Sequence, residues 1–525
     1  MRNYTALILL ACSLSLITSC DKNENQGAID AQTVPTIELL TPEITLYQGV
    51  ISDIEFTVKP FNTVLDLSNI QYTPQKPTYF SIKSVQRDKS KAGQYSITIE
   101  DKGVNKKVSE TLQFTVPAMQ NNGKVVNITS DTIVVHAAHK VSLPKVYINT
   151  PGAVSITSKT EWTESSSIKI YDEEGNQDLN ATTSIRGRGN STWWYPKKPY
   201  ALKLDSKAEI LGMPKHKRWV LLANWMDRTL MRNDIAFEIA RRIMEWAPRG
   251  KFVELYLNNK HLGCYYLCEQ IKVDKNRVNV DELDEDTDFT DAEQVTGGYI
   301  LEFDVYGPQD EINYYYTSVK GYPVAIKEPD EEVITSWSHP GFTYISGYTN
   351  SVEQLLEADK NSLSRWSEIN EMLDINSYID WWLVHELTLN WEPGHPKSSY
   401  MYKKRSGKLY AGPVWDFDWG TFSSNYSEPI ITESLWYSYL FKYPEFAQAT
   451  KKRWNEVKSS CESIEQYISE TAAQIKDSNE ANIKMWPIDG TTNGDESLSF
   501  DKAIERMKES YRTRLKVIDN YISGL

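Results

Sequence analysis

Two acids stand two residues apart in Trp415-Asp416-Phe417-Asp418-Trp419-Gly420, directly after a strand-like run. In a strand their carboxylates would share a face, and in a turn both could converge on one ion. Magnesium takes one or two protein carboxylates and fills its shell with phosphate oxygens and water. The plainer alternative is a turn with solvated acids. Earlier in the chain, Asn390-Trp391-Glu392 closes an apolar helical stretch, followed by Ser398-Ser399-Tyr400-Met401-Tyr402. A carboxylate there could act as the base that activates a hydroxyl; alternatively it is only a helix end broken by Pro393-Gly394. A third stretch, Ile185 to Leu204, reads IRGRGNSTWWYPKKPYALKL. Gly187 and Gly189 would let backbone amides approach a phosphate closely, and Lys203 could meet it as a point charge. No GKS or GKT follows, so it is not a P-loop, and Thr192 stands where a GxGxxG loop needs its third glycine. The structural alternative is a hairpin with a solvated basic edge.

A metal-dependent hydrolase would use His385, Glu386, His395 and the Asp416 pair, but Leu389 stands where HExxH requires its second histidine. Five cysteines occur. Without a CxxC pair they give neither a disulfide framework nor a zinc site, and Cys264 and Cys268 read as core residues of one strand. The net charge of -14 speaks against a molecule built for nucleic acid.

The elements that must position these groups are legible in outline. A chain of 525 residues is too long for one core. From Thr36 to about Pro117, short alternating runs such as Ile54-Glu55-Phe56-Thr57-Val58 and Leu112-Gln113-Phe114-Thr115-Val116 alternate with turn residues, which predicts a small β-sandwich. A second region opens with strands near Leu143. The spacing of Met231, Ile235, Ile239 and Ile243 predicts a helix with one buried face within Arg228 to Trp246. Strands are expected at Val253 to Leu257, Gly263 to Leu267 and Gly298 to Glu302, an apolar helix at Ser377 to Asn390, and helices at the C-terminus.

The N-terminus reads as a processing signal. Arg2 precedes an apolar run, Ala6 to Ile17, too short to span a bilayer. The run ends Leu16-Ile17-Thr18-Ser19-Cys20, which resembles a lipobox, with Cys20 as the residue to be lipidated. Residues 1–19 are then a signal peptide and 20–34 a solvated tether.

In order, RGRGNSTW, KKPYALKL, LANWMDRTLMRND, GCYYLCEQI, GGYILEFD, HELTLN, SSYMYKK and GPVWDFDWG resemble the CotH kinase family of spore-coat-protein-H-like atypical kinases, from about Leu143 to beyond Gly420. The resemblance implies an α+β chain: an atypical protein-kinase-like two-lobed domain over residues 143–525, joined by a linker (119–142) to an immunoglobulin-like all-β sandwich (35–118). It implies ATP as phosphate donor, with Mg²⁺ or Mn²⁺. Arg186, Gly187, Arg188, Gly189 and Asn190 would then surround the phosphates, and Lys203 would contact them. Glu238 would pair with Lys203, or else with Arg241 or Arg242 on its own helix. Glu269 falls in the segment where kinases place the adenine-contacting hinge. Asp416 would bind metal with Asp418 beside it, Ser398 falls near a position often held by a metal-ligating Asn, and Glu392 would be the catalytic base. Here the chain departs from the family, which usually carries Asp. The added methylene matters, because a shift of about 1 Å in a reacting group can cost on the order of a hundredfold. The expected function is therefore an extracytoplasmic, membrane-tethered kinase acting on a protein or glycan. The alternative is a degenerate surface lipoprotein that binds protein or glycan. The expected place is the bacterial cell envelope, lipid-anchored, on the periplasmic or surface face of an outer membrane.

Overall fold

The computed structural model describes residues 34–46, 51–89, 91–102, 108–120, 122–137, 143–310 and 313–525. The expected signal peptide, Cys20 and all of the tether but Val34 lie outside them. The chain is α+β and divides into two compact units, residues 1–139 and 140–525.

The first unit comprises β1 (Thr36–Leu39), β2 (Glu43–Leu46), β3 (Ile51–Lys59), β4 (Val64–Leu65), β5 (Gln71–Thr73), β6 (Phe80–Arg87), β7 (Gln94–Asp101), β8 (Val108–Met119), β9 (Val125–Thr129) and β10 (Ile133–Ala137). One sheet has the order β1-β3-β7-β6; the other runs β2-β10-β8-β4, with β5 and β9 also on β8. Alternate residues of β3 (Ile54, Phe56, Val58) and β8 (Leu112, Phe114, Val116) are buried in one core, where the Phe56 and Phe114 rings lie 4.7 Å apart. The expected linker needs correction. Residues 125–137 form two further strands, because Ile128, Ile133 and Val135 alternate into that same core.

In the second unit, β11 (Lys145–Asn149), β12 (Thr163–Tyr171), β13 (Gln177–Gly187), β14 (Tyr200–Ile210), β15 (Met213–Leu222), β16 (Gly250–Leu257) and β17 (Lys260–Glu269) form a closed barrel in the order β11-β12-β13-β14-β15-β17-β16. Its core takes one face of each strand, including Ile148, Ile170, Ile185, Leu202, Leu221 and Leu255. Val220, Leu222, Cys264, Tyr266 and Cys268, at the alternate positions of β15 and β17, join a larger core with α1 (Arg232–Ile243). The predicted face of α1, Met231 with Ile235, Ile239 and Ile243, is buried.

A five-stranded sheet follows, of β18 (Tyr299–Phe303), β19 (Tyr314–Tyr316), β20 (Pro323–Glu328), β21 (Ser399–Lys403) and β22 (Leu409–Ala411), in the order β19-β20-β18-β21-β22. The further helices are α2 (Gly307–Asp310), α3 (Pro340–Asp359), α4 (Trp366–Met372), α5 (Ile375–Thr388), α6 (Tyr437–Leu440), α7 (Pro444–Glu462), α8 (Ile464–Met485) and α9 (Phe500–Gly524). Helix α5 buries residues on every side, Trp381 and Trp382 among them, and runs through the centre of the core. Among the described residues no helix is long and apolar enough to cross a membrane.

Helix α1 begins later than its apolar spacing suggests. Asp227 accepts hydrogen bonds from the Thr229 N–H and hydroxyl and from the Arg232 N–H, which folds the preceding residues into a cap. The fully buried Arg232 guanidinium then pairs with Asp227, lies 2.6 Å from Asp495 and donates to the Thr421 carbonyl at 2.9 Å. Replacing one member of such a cluster strands the others as buried charges. Arg232→Met should therefore lower the unfolding free energy by about 3–5 kcal/mol in a urea titration.

Candidate active site

Helix α5 starts with Asp374, whose side chain accepts from the Ser377 N–H, and stops at Leu389, which takes a left-handed φ of 57°. One short turn follows, Glu392–Gly394, with Pro393 at a starting position where a missing N–H costs nothing. The Glu392 N–H donates to Asn390 Oδ1 at 3.0 Å, which fixes the start of this turn. Glu392 is only 2% exposed. Lys397 Nζ lies 2.5 Å from its Oε1, and Oε2 is buried without a partner.

The paired acids are set by the residue between them. Phe417 is buried, its ring stacked on His385 at 5.2 Å and edge-on to Phe237 at 6.2 Å. Its N–H donates to Asn233 Oδ1 on α1 at 2.8 Å. Asp416 adopts a φ of 69°, an uncommon conformation for a non-glycine residue. Ser398 Oγ approaches Asp416 Oδ2 at 3.5 Å, and the Ser398 N–H reaches Asp304 Oδ2 at 3.3 Å. Asp304 follows β18 and is held through its other oxygen by the Tyr306 N–H at 2.7 Å.

This crowding of carboxyl groups has electrostatic consequences. Burial, then repulsion from Asp416 and Asp227, pushes the Asp418 carboxyl up to about 8, and it hydrogen-bonds to Asp416. Burial, then Asp416, pushes Glu392 up to about 8, against the opposing pull of Lys397. Asp304 is raised by burial more than its hydrogen bonds lower it. Burial works to lower Lys397, but Asp416, Glu392 and Asp304 together hold it above the usual lysine range.

The structure thus brings Glu392, Ser398, Asp416 and Asp418 together, with Asp304 and Lys397, which the sequence reading had not singled out. Asp304 ends the GGYILEFD stretch, and Lys397 is a cation in the Glu392 loop. Those positions were the signals available. Asp304 needs β18 laid beside β21 to reach the cluster.

The basic stretch fares differently. Side chains inside the loop account for both glycines: a Cβ on Gly187 would run into the Trp193 ring, and one on Gly189, whose φ is 83°, into the Thr192 hydroxyl. Lys197 is buried and donates to the Ala223 carbonyl at 2.8 Å, and Lys198 donates to the Trp193 carbonyl at 2.6 Å. Asn190 is exposed and accepts from Lys159 Nζ at 3.3 Å. Lys203 is exposed on β14, opposite Arg218 in the register. The Lys203–Glu238 pair does not form: Glu238 gives one oxygen to Arg241 at 2.7 Å and the other to Arg242 at 2.8 Å. Glu269 is no hinge contact through its side chain, since Arg249 clamps both carboxylate oxygens and Arg277 lies 3.6 Å away. Its N–H is spent on the Arg249 carbonyl. Arg188 reaches the acid cluster's neighbourhood, lying over the Trp415 ring at 5.2 Å.

His385 and Glu386 are used in packing. Trp381 and Phe417 flank the histidine ring, and Glu386 is held by Arg514 at 2.6 Å and by the Ile430 and Ile431 N–H groups. A cavity of about 410 Å³ lies elsewhere, lined among others by Met244, Trp246, Arg277, Tyr402 and Pro413, and none of the predicted site residues lines it. Chemistry, rather than cavity size, marks the carboxyl cluster as the site.

The family model described as CotH kinase protein matches residues 185–518. A search of curated proteins finds no match. Among solved structures, BcpA, the major pilin subunit of Bacillus cereus, aligns at 10% identity with a TM-score of 0.14, over 35% of this chain and 63% of that one. A variant of the same pilin aligns at 11% identity with a TM-score of 0.13. The chain thus spans less than two thirds of the pilin's length, and likeness at this level carries no argument.

Raised carboxyl pKa values tie stability to pH. Folding raises Glu392 from 4.5 and Asp418 from 3.8 to about 8. The folded state therefore keeps protons that the unfolded state has lost, and stability falls as pH rises from about 4 to about 8. Thermal melts without metal should show this decline. Asp418→Asn should raise the melting temperature near pH 8, change it little near pH 4, and flatten the slope between.

Proposed function

The chain belongs to the CotH kinase family, and on that premise we propose that it transfers phosphate from ATP to a hydroxyl of a protein or glycan acceptor. Membership carries with it the general use of ATP with a divalent metal. The observation that carries the reading is the state of Glu392: one oxygen is held by Lys397, and the other is buried and unpartnered beside the Asp416–Asp418 pair.

The residues fit a divalent cation. Asp416 and Asp418 share a hydrogen bond in an enclosed, over-negative place, which a cation would relieve. Among the described residues no group of three or more His, Cys, Asp or Glu is already gathered to hold a metal. The pair is therefore the candidate, in keeping with magnesium's use of one or two carboxylates. Asp416 and Asp418 would hold such a cation, which would supply positive charge against the charge that develops during transfer.

Burial first, and then repulsion from Asp416, keeps a proton on Glu392, and a cation at the pair would ease the second of these. The free Glu392 Oε2 can then take the proton of an acceptor hydroxyl, while Lys397 fixes the orientation of the carboxylate through Oε1. Phosphates would find cations at Arg188, over Trp415, and on the outer face of β13–β15. There Arg186 and Arg218 flank the Trp162 ring at 4.5 and 5.3 Å, with Lys203 opposite Arg218. Arg186 is lowered by burial, then by Arg218 and Arg188. In this reading the barrel with α1 is the kinase-like N-terminal lobe, the remainder of the second unit the other lobe, and the first unit an immunoglobulin-like sandwich. The lipobox-like segment suggests a lipid-anchored envelope protein. A second reading, a binding module without transfer activity, is favoured by the commitment of Glu238 and Glu269 to arginines.

Titration calorimetry with ATP and Mn²⁺, paired with a phosphotransfer assay on envelope extract, tests this. Asp416→Ala should abolish metal-dependent binding. Glu392→Gln should keep ATP affinity but lower turnover by roughly 10²–10⁴-fold. Binding without any turnover in the unsubstituted protein would select the second reading.

A further inference from the structure

Among its described residues, the first unit carries five of its six large exposed apolar side chains at one end. Val34, Phe61, Val64, Met119 and Val125 are each between 49% and 60% exposed; Leu40 is the other large exposed apolar residue among the described residues of this unit. The register places the five together. Thr36 pairs with Lys59, so Val34 and Phe61 lie just beyond the same end of β1 and β3. Residues 60–63 cross to the other sheet, where Val64 pairs with Met119 and Met119 with Val125. Phe61 is fixed by Gly93, where a Cβ would strike it.

Basic residues rim this cap. Arg87, Lys89 and Lys91 lie at the β6–β7 connection, at the end of the sheet where Thr57 pairs with Gln94, and Lys124 lies in the β8–β9 turn; all four are exposed, with Asp88 among them. An apolar cap within a basic rim fits the boundary of an anionic bilayer, which takes apolar side chains at the acyl edge and cations at the headgroups.

Chain direction points to the same occupant. The described chain enters the sandwich at Val34, in the cap. It leaves at Ala137, which pairs with Val108 at the opposite end of β8, roughly 35–40 Å away. Cys20 stands fourteen residues before Val34, a span of at most about 50 Å.

We propose that this end of the first unit, formed by Val34, Phe61, Val64, Met119 and Val125, seats on an anionic lipid bilayer. The placement agrees with a lipid anchor at Cys20 but does not require one, and the two are tested separately.

Full-length protein carrying Cys20→Ser, which cannot be lipidated there, is mixed with vesicles of phosphatidylethanolamine and phosphatidylglycerol, or of phosphatidylcholine alone, and floated. Binding is expected to the anionic vesicles, weakening with salt. The double variant Phe61→Ser, Val125→Ser should bind at least about tenfold more weakly, since each residue loses an apolar insertion. An unchanged melting temperature would show that the variant is folded, and Phe61→Leu should keep binding. Equal flotation of the Ser variant, no flotation of the parent, or a dimer in sedimentation that the Ser variant abolishes would each overturn the proposal. Mass spectrometry of the wild-type chain from cells reports lipidation of Cys20 independently. Vesicle binding without lipidation would remove the anchor and leave the bilayer face standing.

Discussion

The second unit depends on one buried cation. Arg232 sits between Asp227 and Asp495 and reaches the carbonyl of Thr421, joining three separate parts of the chain. A buried ion pair is costly to assemble, because each charge gives up its water, and it holds only when every partner is in place. That makes it a good device for fixing geometry. The adjacent residue, Asn233, accepts the Phe417 N–H, so the first turn of α1 also sets the segment that carries Asp416 and Asp418. Helix position and acid position are thus one constraint, set in a single stretch from Asn224 to Asp234.

The site that this constraint serves is electrostatically unfinished. Asp304, Glu392, Asp416 and Asp418 crowd around Lys397, and burial with mutual repulsion raises Asp304, Glu392 and Asp418. Folding energy alone does not favour such an arrangement. Buried like charges persist where function needs them, and the relief they call for is positive charge. The contrast with Glu238 and Glu269 is informative. The family resemblance assigns both carboxylates to nucleotide contacts, yet each is held by arginines instead.

How far the sequence could be read varied with the kind of signal. Apolar spacing located α1 and its buried face, because a helix repeats its inward positions at a fixed interval. Alternation located the strands of the sandwich as far as about Pro117, but β9 and β10 are short and follow turn-rich residues, so they read as linker. The glycine and lysine content of the Ile185–Leu204 stretch was visible, but its purpose was not. Gly187 makes room for a tryptophan six residues on, and Lys197 turns inward to carbonyl oxygens, contacts that composition cannot report.

The sequence by itself determined the α+β composition, the main elements and the motif order that marks the family, because these follow from local propensity and from the linear succession of residue types. The Asp416–Asp418 pair and Glu392 were also visible in it, as residues of suitable chemistry. Only the tertiary structure decided which groups meet. Asp304 comes to Ser398 through the pairing of β18 with β21, and Lys397 claims one oxygen of Glu392 and leaves the other bare. Glu238 turns to its own helix instead of Lys203. Such choices depend on distances between strands remote in sequence, and on which charge reaches a buried partner first. Neither is written in any one segment of the chain.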